Sequence, residues 1–178
     1  MLENTDALLS LAEIAAAFAG FAALVSVIQR KRRDPAETTH DILRLRLIIA
    51  SSVLGVTGAL IPVGLAGYGV TPEITWRLSS FFFLVLSYGI ILSFVRSYTP
   101  VKGSFPPDRL AVAVTTSIEV WEQGSLLVVL FGIPLGNPAA LYVTALIGNI
   151  CQAGFIFVRF VDSAFRHQGE LPEEDEEG

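Results

Sequence analysis

The sequence predicts an all-α fold, a polytopic integral membrane bundle of five transmembrane helices with its N-terminus outside and its C-terminus in the cytoplasm. Hydrophobic residues make up 52% of the 178 residues and charged residues only 16%, whereas soluble domains usually carry about 25% charged residues. The mean hydropathy is +0.60. The apolar residues fall in long runs, and the basic residues cluster beside alternate ends of those runs.

Five apolar runs each have about the length of a membrane-spanning helix. They lie at about 7–28, 43–67, 74–95, 110–133 and 139–161. About 20 helical residues, rising about 1.5 Å each, cross the hydrocarbon core of roughly 30 Å. Residues 1–161 are therefore predicted to form the bundle. Residues 162–178 are strongly acidic and are predicted to form a disordered cytoplasmic tail.

The first run is predicted to be a span and not a cleaved signal peptide. The residues before it, MLENTD, are acidic, and Glu13 interrupts its apolar stretch, whereas a signal peptide begins with basic residues. Within this run, LAEIAAAFAGFAALVSVI resembles the first span of a group of uncharacterised bacterial multi-span membrane proteins. The resemblance is confined to this span. It implies a location in the bacterial inner membrane and carries no activity with it.

Helix-start signals precede four of the runs. Three of them place a capping side chain directly before a proline, which is favoured at the first helical position. These pairs are Asp34-Pro35, Thr71-Pro72 and Asn137-Pro138. Asp108, after two prolines, is predicted to open the fourth helix. The second helix should therefore begin near Pro35, and Pro62 should kink it near its far end.

The distribution of Lys and Arg predicts the orientation. Eleven of the twelve basic residues fall in the segments 29–46, 96–109 and 159–166, which five spans place on one side of the membrane. Basic residues are enriched on the cytoplasmic side. Only Arg77 would lie outside. Tyr68 and Trp76 are predicted to mark the outer interface and Tyr98 the inner one.

Charge and cysteine content exclude some classes of function. The net charge of −5 arises mainly from the acidic tail, and no soluble segment combines a basic stripe with aromatic residues, so nucleic acid is not an expected partner. The single cysteine, Cys151, allows no disulfide within the chain. Arg30, Lys31, Arg32 and Arg33 follow the first span and are predicted to hold the topology and to contact anionic lipid.

Polar residues interrupt the fourth run near its middle, in the stretch TTSIEVWEQGS. At 100° per residue, Thr115, Glu119 and Glu122 share one face of the helix with Gln123 at its edge. Trp121 lies on the opposite side and is expected to pack against a neighbouring helix.

The fifth helix carries a matching polar line that includes Asn149 and Gln152. The short connection between the two helices predicts an antiparallel hairpin. Counted inward from it, Glu122 is level with Asn149 at a depth of about 16 Å, and Glu119 with Gln152 at about 21 Å. Glu13 of the first helix should lie about one turn above Glu122.

A charged side chain at the bilayer centre costs about 2.5–3.5 kcal/mol on insertion scales. No Lys or Arg lies at the depth of these acids. Each acid must therefore be protonated, reached by water, or neutralised by a cation. A single intramembrane acid can also serve as a neutral hydrogen-bonding group that holds helices together.

The leading functional hypothesis is a homo-oligomeric cation or proton pathway, in which Glu119 and Glu122 of every subunit surround a shared pore. Asn149, Gln152, Gln123 and Thr115 would complete or orient the site, and Glu13 would collect ions at the outer side. Small-residue stripes offer surfaces for assembly, although packing within the chain explains them equally well. These stripes are Ala12, Ala16, Gly20 and Ala23 in the first helix, and Ser51, Gly55 and Ala59 in the second.

Two alternatives come from other classes of protein. A non-transporting accessory or assembly subunit would use the same polar residues to pack helices or to dock another chain. A metal-dependent membrane enzyme would use the one-turn spacing of Glu119 and Glu122 to hold a hard cation. Both histidines lie in the flanks and not in the runs, which disfavours this enzyme. No cofactor is predicted beyond a bound cation of unknown identity.

Overall fold

The computed structural model of the protein describes residues 4–29, 35–99 and 108–166. These residues form five α-helices and no strand, which confirms the all-α fold. The helices are α1 (Thr5–Gln29), α2 (Pro35–Gly67), α3 (Pro72–Tyr98), α4 (Arg109–Leu130) and α5 (Pro138–Arg166).

The predicted starts of α2, α3, α4 and α5 are confirmed, while Asp34, the predicted cap of α2, lies outside the described residues. A proline opens α2, α3 and α5. The side chain of Asn137 accepts a hydrogen bond from the Ala139 backbone N–H at 2.8 Å, and Asp108 accepts one from Leu110 at 3.0 Å. Thr71 precedes α3 without a side-chain cap. Short polar residues therefore fix where α4 and α5 begin, because their oxygens bind N–H groups that have no partner within the helix.

The C-terminal boundary of the bundle differs from the predicted one. Helix α5 continues past residue 161 to Arg166, so the predicted tail begins with helix, and residues 167–178 lie outside the described part. Pro62 lies inside α2 near its far end, as predicted, and the kink expected there stays a prediction.

The five helices pack around a central pair, α2 and α5. Helix α5 contacts the four other helices, whereas α1 contacts only α2 and α5. Among the described residues α4 contacts α3 and α5, and it has no contact with α1 or α2. After the predicted orientation, the end of the bundle with the connections at residues 67–72 and 130–138 is called the outer end, and the end with residues 99 and 108 is called the inner end.

An aromatic cluster fills the outer half of the bundle. The Tyr142 ring lies 5.5 Å from that of Trp76 and 6.2 Å from that of Phe83. Its hydroxyl donates a hydrogen bond to the Gly58 carbonyl oxygen at 2.7 Å. Trp76 is only 4% exposed, so its prediction as an interface anchor is wrong, whereas Tyr68 is 90% exposed. The indole faces the core because its side of α3 packs against α5.

Four of the described helices are long and apolar enough to cross a membrane: Thr5–Val27, Ile42–Gly67, Pro72–Tyr98 and Pro138–Asp162. Helix α4 is not among them, since Glu119, Glu122 and Gln123 lower its hydropathy. The apolarity of these four helices is compatible with an integral membrane protein. The fifth span and the orientation stay predictions.

The two small-residue stripes have different environments. In α2, Ser51, Gly55 and Ala59 are all buried, and a Cβ added at Gly55 would lie 3.1 Å from the Ala15 Cβ of α1. The α2 stripe therefore serves packing within the chain. In α1, Ala12 is buried, but Ala16, Gly20 and Ala23 are exposed.

Candidate functional site

The predicted polar face of α4 points into the bundle. Glu122 is completely buried at 0% exposure and Gln123 is buried beside it, while Thr115 and Glu119 are half-buried. Trp121 is 63% exposed, so the expectation that it packs against a neighbouring helix is wrong for this chain. A periodicity of 100° per residue shows which residues share a face, and the structure shows that α3 and α5 cover the acidic one.

Glu119 is the acceptor of a hydrogen-bond network that joins three helices. Its Oε1 accepts a bond from Gln123 Nε2 at 2.6 Å and from Ser87 Oγ of α3 at 3.3 Å. Its Oε2 accepts one from Gln152 Nε2 of α5 at 3.2 Å. Gln123 Nε2 also lies 2.8 Å from Ser87 Oγ. The carboxylate of Glu119 therefore has donors on both oxygens without any basic side chain.

The predicted pairing of levels is confirmed for Glu119 and Gln152 by this hydrogen bond. For Glu122 and Asn149 the structure confirms only that their helices are close at this level. A Cβ added at Gly148, the residue before Asn149, would lie 3.9 Å from the Glu122 Cβ. The Asn149 side chain is directed toward Gly55 of α2, where an added Cβ would lie 3.3 Å from its Oδ1. Asn149 therefore lies between α5 and α2 and makes no hydrogen bond to Glu122.

Glu122 has no hydrogen-bond partner for either carboxylate oxygen among the described residues. Three amide oxygens are also buried and unpartnered in this part of the chain: Gln123 Oε1, Asn149 Oδ1 and Gln152 Oε1. Buried polar atoms are nearly always hydrogen-bonded, and each orphaned group calls for an explanation. These four side chains together with Glu119 and Ser87 are called the polar layer below. It is rich in acceptor oxygens that lack donors, and a proton, a cation or water would supply what they lack.

Ser87 belongs to the hydrogen-bond network of the candidate site and was not predicted from the sequence. It is buried in α3, in an apolar run where a single serine is unremarkable. One signal was present: Ser80 lies two turns earlier on the same face of α3 and is also buried. A serine repeat at heptad spacing marks a helix face that does not contact lipid.

Glu13 is not brought to the polar layer. It lies on an exposed face of α1, and the described part of α1 makes no contact with α4. Of the other predicted site residues, Thr115 lies one turn from Glu119, and its hydroxyl donates to the Ala111 carbonyl oxygen at 2.7 Å. The four basic residues from Arg30 to Arg33 lie outside the described residues.

A cavity of about 550 Å³ leads from the inner end toward the polar layer. It lies between α2, α3, α4 and α5; Asp108, Tyr98 and Arg159 line it toward the inner end, and Thr115 and Gln152 line it further along α4 and α5 toward the polar layer. Gln152 separates the cavity from Glu119, because one of its amide atoms binds that carboxylate while the residue itself lines the cavity.

An ion pair crosses the wide end of this cavity. Arg159 Nη2 lies 2.7 Å from Asp108 Oδ2, so the start of α4 is joined to α5. The Leu110 backbone N–H and the Arg159 guanidinium together hold the pKa of the Asp108 carboxyl below its usual value. The same carboxylate thus caps α4 and fixes the position of that cap against α5.

Replacing Asp108 by asparagine should weaken the acid dependence of stability. Asparagine can still cap the helix, but it cannot carry the charge that Arg159 pairs with. Because folding lowers this pKa, the charged form stabilises the fold above the unfolded pKa of about 4, and the contribution is lost as the pH falls through the lowered value. Thermal unfolding of the wild type and of Asp108→Asn, measured across acid pH, should converge below about pH 4. Parallel curves over this range would contradict the pairing.

The chemistry available to the polar layer is the binding of a proton or a small cation. No Lys or Arg of the described residues forms an ion pair with Glu119 or Glu122; the ion pairs Arg77–Glu73 and Arg159–Asp108 lie elsewhere. Within the described ranges, no three His, Cys, Asp or Glu side chains come together as a metal site. Two carboxylates, with amide oxygens nearby, are the donor set that the structure offers.

Comparisons with known proteins identify no relative. No protein-family model, no curated protein and no solved structure matches the chain.

Proposed function

We propose that this chain is a five-span protein of the bacterial inner membrane, with its N-terminus outside, that binds a proton or a small cation at Glu119 and Glu122 and conducts it across the bilayer. The observation that carries the proposal is the complete burial of Glu122 with both carboxylate oxygens unpartnered. A carboxyl group in this position costs stability. Binding of a mobile proton or ion at Glu122 explains why the chain carries a buried acid that lowers its stability.

The surroundings of α4 support a fifth span. Its 22 residues rise about 33 Å, enough to cross the hydrocarbon core. Its polar side chains face α3 and α5, and its exposed face carries apolar residues such as Val112, Val120 and Trp121. A helix with this distribution can face lipid on one side and shield its acids on the other. The basic residues at 30–33 would then meet the anionic cytoplasmic surface.

The buried position of Glu122 favours a pathway within each subunit over a ring of acids around a shared axis. Assembly of several copies remains part of the proposal because of α1. Its exposed face carries Glu13 together with Ala16, Gly20 and Ala23, and an acid at this depth is disfavoured against lipid. A second copy packed on this face would cover it.

Flux through reconstituted vesicles tests the proposal. Vesicles that contain the purified protein, an internal pH-sensitive dye and a potassium gradient report proton entry when valinomycin sets the potential; the same vesicles with ion-sensitive dyes report Na⁺ and K⁺. We expect Glu122→Gln to abolish the flux or to change its ion selectivity. The control is Glu73→Gln, which removes an exposed acid paired with Arg77 outside the polar layer and should leave the flux unchanged. Equal flux through the wild type and Glu122→Gln would refute the assignment.

A non-transporting accessory subunit is the second candidate, and the network around Glu119 favours it. One carboxylate that accepts bonds from Ser87, Gln123 and Gln152 is also a means of holding α3, α4 and α5 together. In that case the vesicles show no flux above empty controls, and Glu119→Gln lowers thermal stability without any transport defect.

A further inference from the structure

We infer that, in this conformation, the polar layer exchanges its proton or cation with one end of the bundle only, the inner end, through the cavity between α2, α3, α4 and α5. In this arrangement Glu119 is the residue that exchanges with water, and Glu122 is a closed site behind it. Conduction across the bilayer then requires a second conformation in which the packed outer side opens. This inference rests on the proposed function, but it concerns access to the site and can be tested without measuring transport.

The inner side of the layer is open to the cavity. Thr115 and Gln152 line its deep part, and Gln152 Nε2 is 3.2 Å from Glu119 Oε2. The volume of about 550 Å³ is far larger than the roughly 30 Å³ that one water occupies in the liquid. Arg44, Asp108, Thr116 and Arg159 supply polar groups along the walls, so water in the cavity has hydrogen-bond partners. A chain of water can therefore reach the position of Gln152.

The outer side of the layer is closed by packed side chains. A small crevice of about 190 Å³ enters from the outer end and reaches Val129. Val129 and Leu126 are buried on the same face of α4 as Glu122, and they occupy the roughly 10 Å of helix between the crevice and this acid. Beside them, Tyr142 packs against Trp76 and Phe83. Leu126, Val129 and Phe83 offer no hydrogen-bond partner to a water, and the Tyr142 hydroxyl already donates to the Gly58 carbonyl oxygen.

The burial of the two acids follows this asymmetry. Glu119, nearer the cavity, is half-buried, and Glu122, one turn further toward the outer end, is fully buried. Gln152 stands between the cavity and Glu119: the residue lines the cavity, its Nε2 donates to Glu119 Oε2, and its Oε1 is buried without a partner. It therefore acts as a positioning residue at the entrance to the site.

Cysteine labelling tests one-ended access. The single native cysteine, Cys151, is exposed and is first replaced by serine. Thr115→Cys then places a thiol in the cavity, and Ser79→Cys places one of nearly native size in the packed outer half, where Ser79 is 0% exposed. A small, positively charged methanethiosulfonate reagent is added from the outside to intact cells, and from the cytoplasmic side to inverted membrane vesicles.

We expect Thr115→Cys to react from one side only, at least tenfold faster than Ser79→Cys from either side. With the proposed orientation, that side is the cytoplasm. Reaction from the outside only would still support access from a single end of the bundle, but it would contradict the orientation. Protection of Thr115→Cys from both sides, or reaction of Ser79→Cys from the outside at a comparable rate, would overturn the inference.

Two further variants keep the test decisive. If Thr115→Cys fails to fold, judged by its chromatographic profile, Thr116→Cys lines the same cavity and replaces it. Adding Trp76→Ala to Ser79→Cys removes part of the aromatic cluster and should make the thiol reactive from the outer side.

The Glu122→Gln substitution separates access from transport. It should leave the labelling rate of Thr115→Cys unchanged even where it abolishes the flux, so loss of flux and loss of access are distinguishable.

Discussion

Replacing Glu122 by leucine is expected to raise the stability of the protein and to remove its capacity to bind a proton or cation. The carboxyl group is fully buried and both of its oxygens lack partners among the described residues. An unsatisfied buried polar group costs about 1–3 kcal/mol, and an apolar side chain of similar volume can replace such a group with a gain in stability. Thermal unfolding of Glu122→Leu in the same detergent should therefore occur at a higher temperature, with an increase of about 2 kcal/mol in the free energy of unfolding.

The matched variant is Glu119→Leu, one turn away on the same helix, and the opposite sign is expected. This substitution removes the acceptor of bonds from Ser87, Gln123 and Gln152. The Ser87 hydroxyl and the Gln152 amide lose this acceptor, while Gln123 keeps its bond to Ser87 Oγ. The loss should again be about 1–3 kcal/mol. If both variants shift the unfolding temperature in the same direction, the two acids do not have the different environments described here. If leucine at position 122 gives a more stable protein than the natural glutamate, the glutamate is retained for its function and not for stability.

Replacing Gly58 by alanine is expected to cause a large loss of stability. A Cβ at this position would overlap the Phe83 ring and lie 3.3 Å from Leu146 Cδ1. The carbonyl oxygen of the same residue accepts the Tyr142 hydroxyl, so a shift of α2 away from Phe83 would also disturb that hydrogen bond. Overpacking of a core typically costs about 1–3 kcal/mol, and the combined effect should reach the upper part of this range. The measurement is the temperature of unfolding of the purified protein.

Gly64→Ala is the control, two turns later in α2, where no other atom lies within 4 Å of an added Cβ. It carries the same change of residue type without the clash. The helix gains from alanine by up to about 1 kcal/mol, so this variant should be as stable as the wild type or more stable. Equal destabilisation by both substitutions would point to backbone effects and would contradict a close contact at Gly58.

The parts of the fold that the sequence predicted depend on local chemistry. The prolines at positions 35, 72 and 138 set the starts of α2, α3 and α5 because proline is favoured in the first turn of a helix. The inward face of α4 followed from helical periodicity, and the level of Glu119 with Gln152 followed from counting residues along a tight hairpin. Each of these three predictions depends on the sequence of a single helix or of a single connection.

The parts that the sequence did not predict depend on how separate helices are rotated against each other. Counting from the end of α3 placed Trp76 near a membrane interface, but it could not show that the indole faces Tyr142 of α5. Trp121 was expected to pack because of its depth, yet α4 turns that side away from α3 and α5. Ser87 and the cavity are shared by several helices. The spacing of Ser80 and Ser87 marks a buried face of α3, but it does not show which helices cover that face.

The limited apolarity of α4 has a consequence for the biosynthesis of the protein. Helices that cross the bilayer on their own are selected by their hydrophobicity as they leave the ribosome, and α4 is the helix of the described bundle that falls short. Its acids are covered by α3, which is made before it, and by α5, which is made after it. In a five-span chain, α4 would therefore settle in the bilayer only when α5 emerges, and the two would insert as a pair joined by the short connection at residues 131–137.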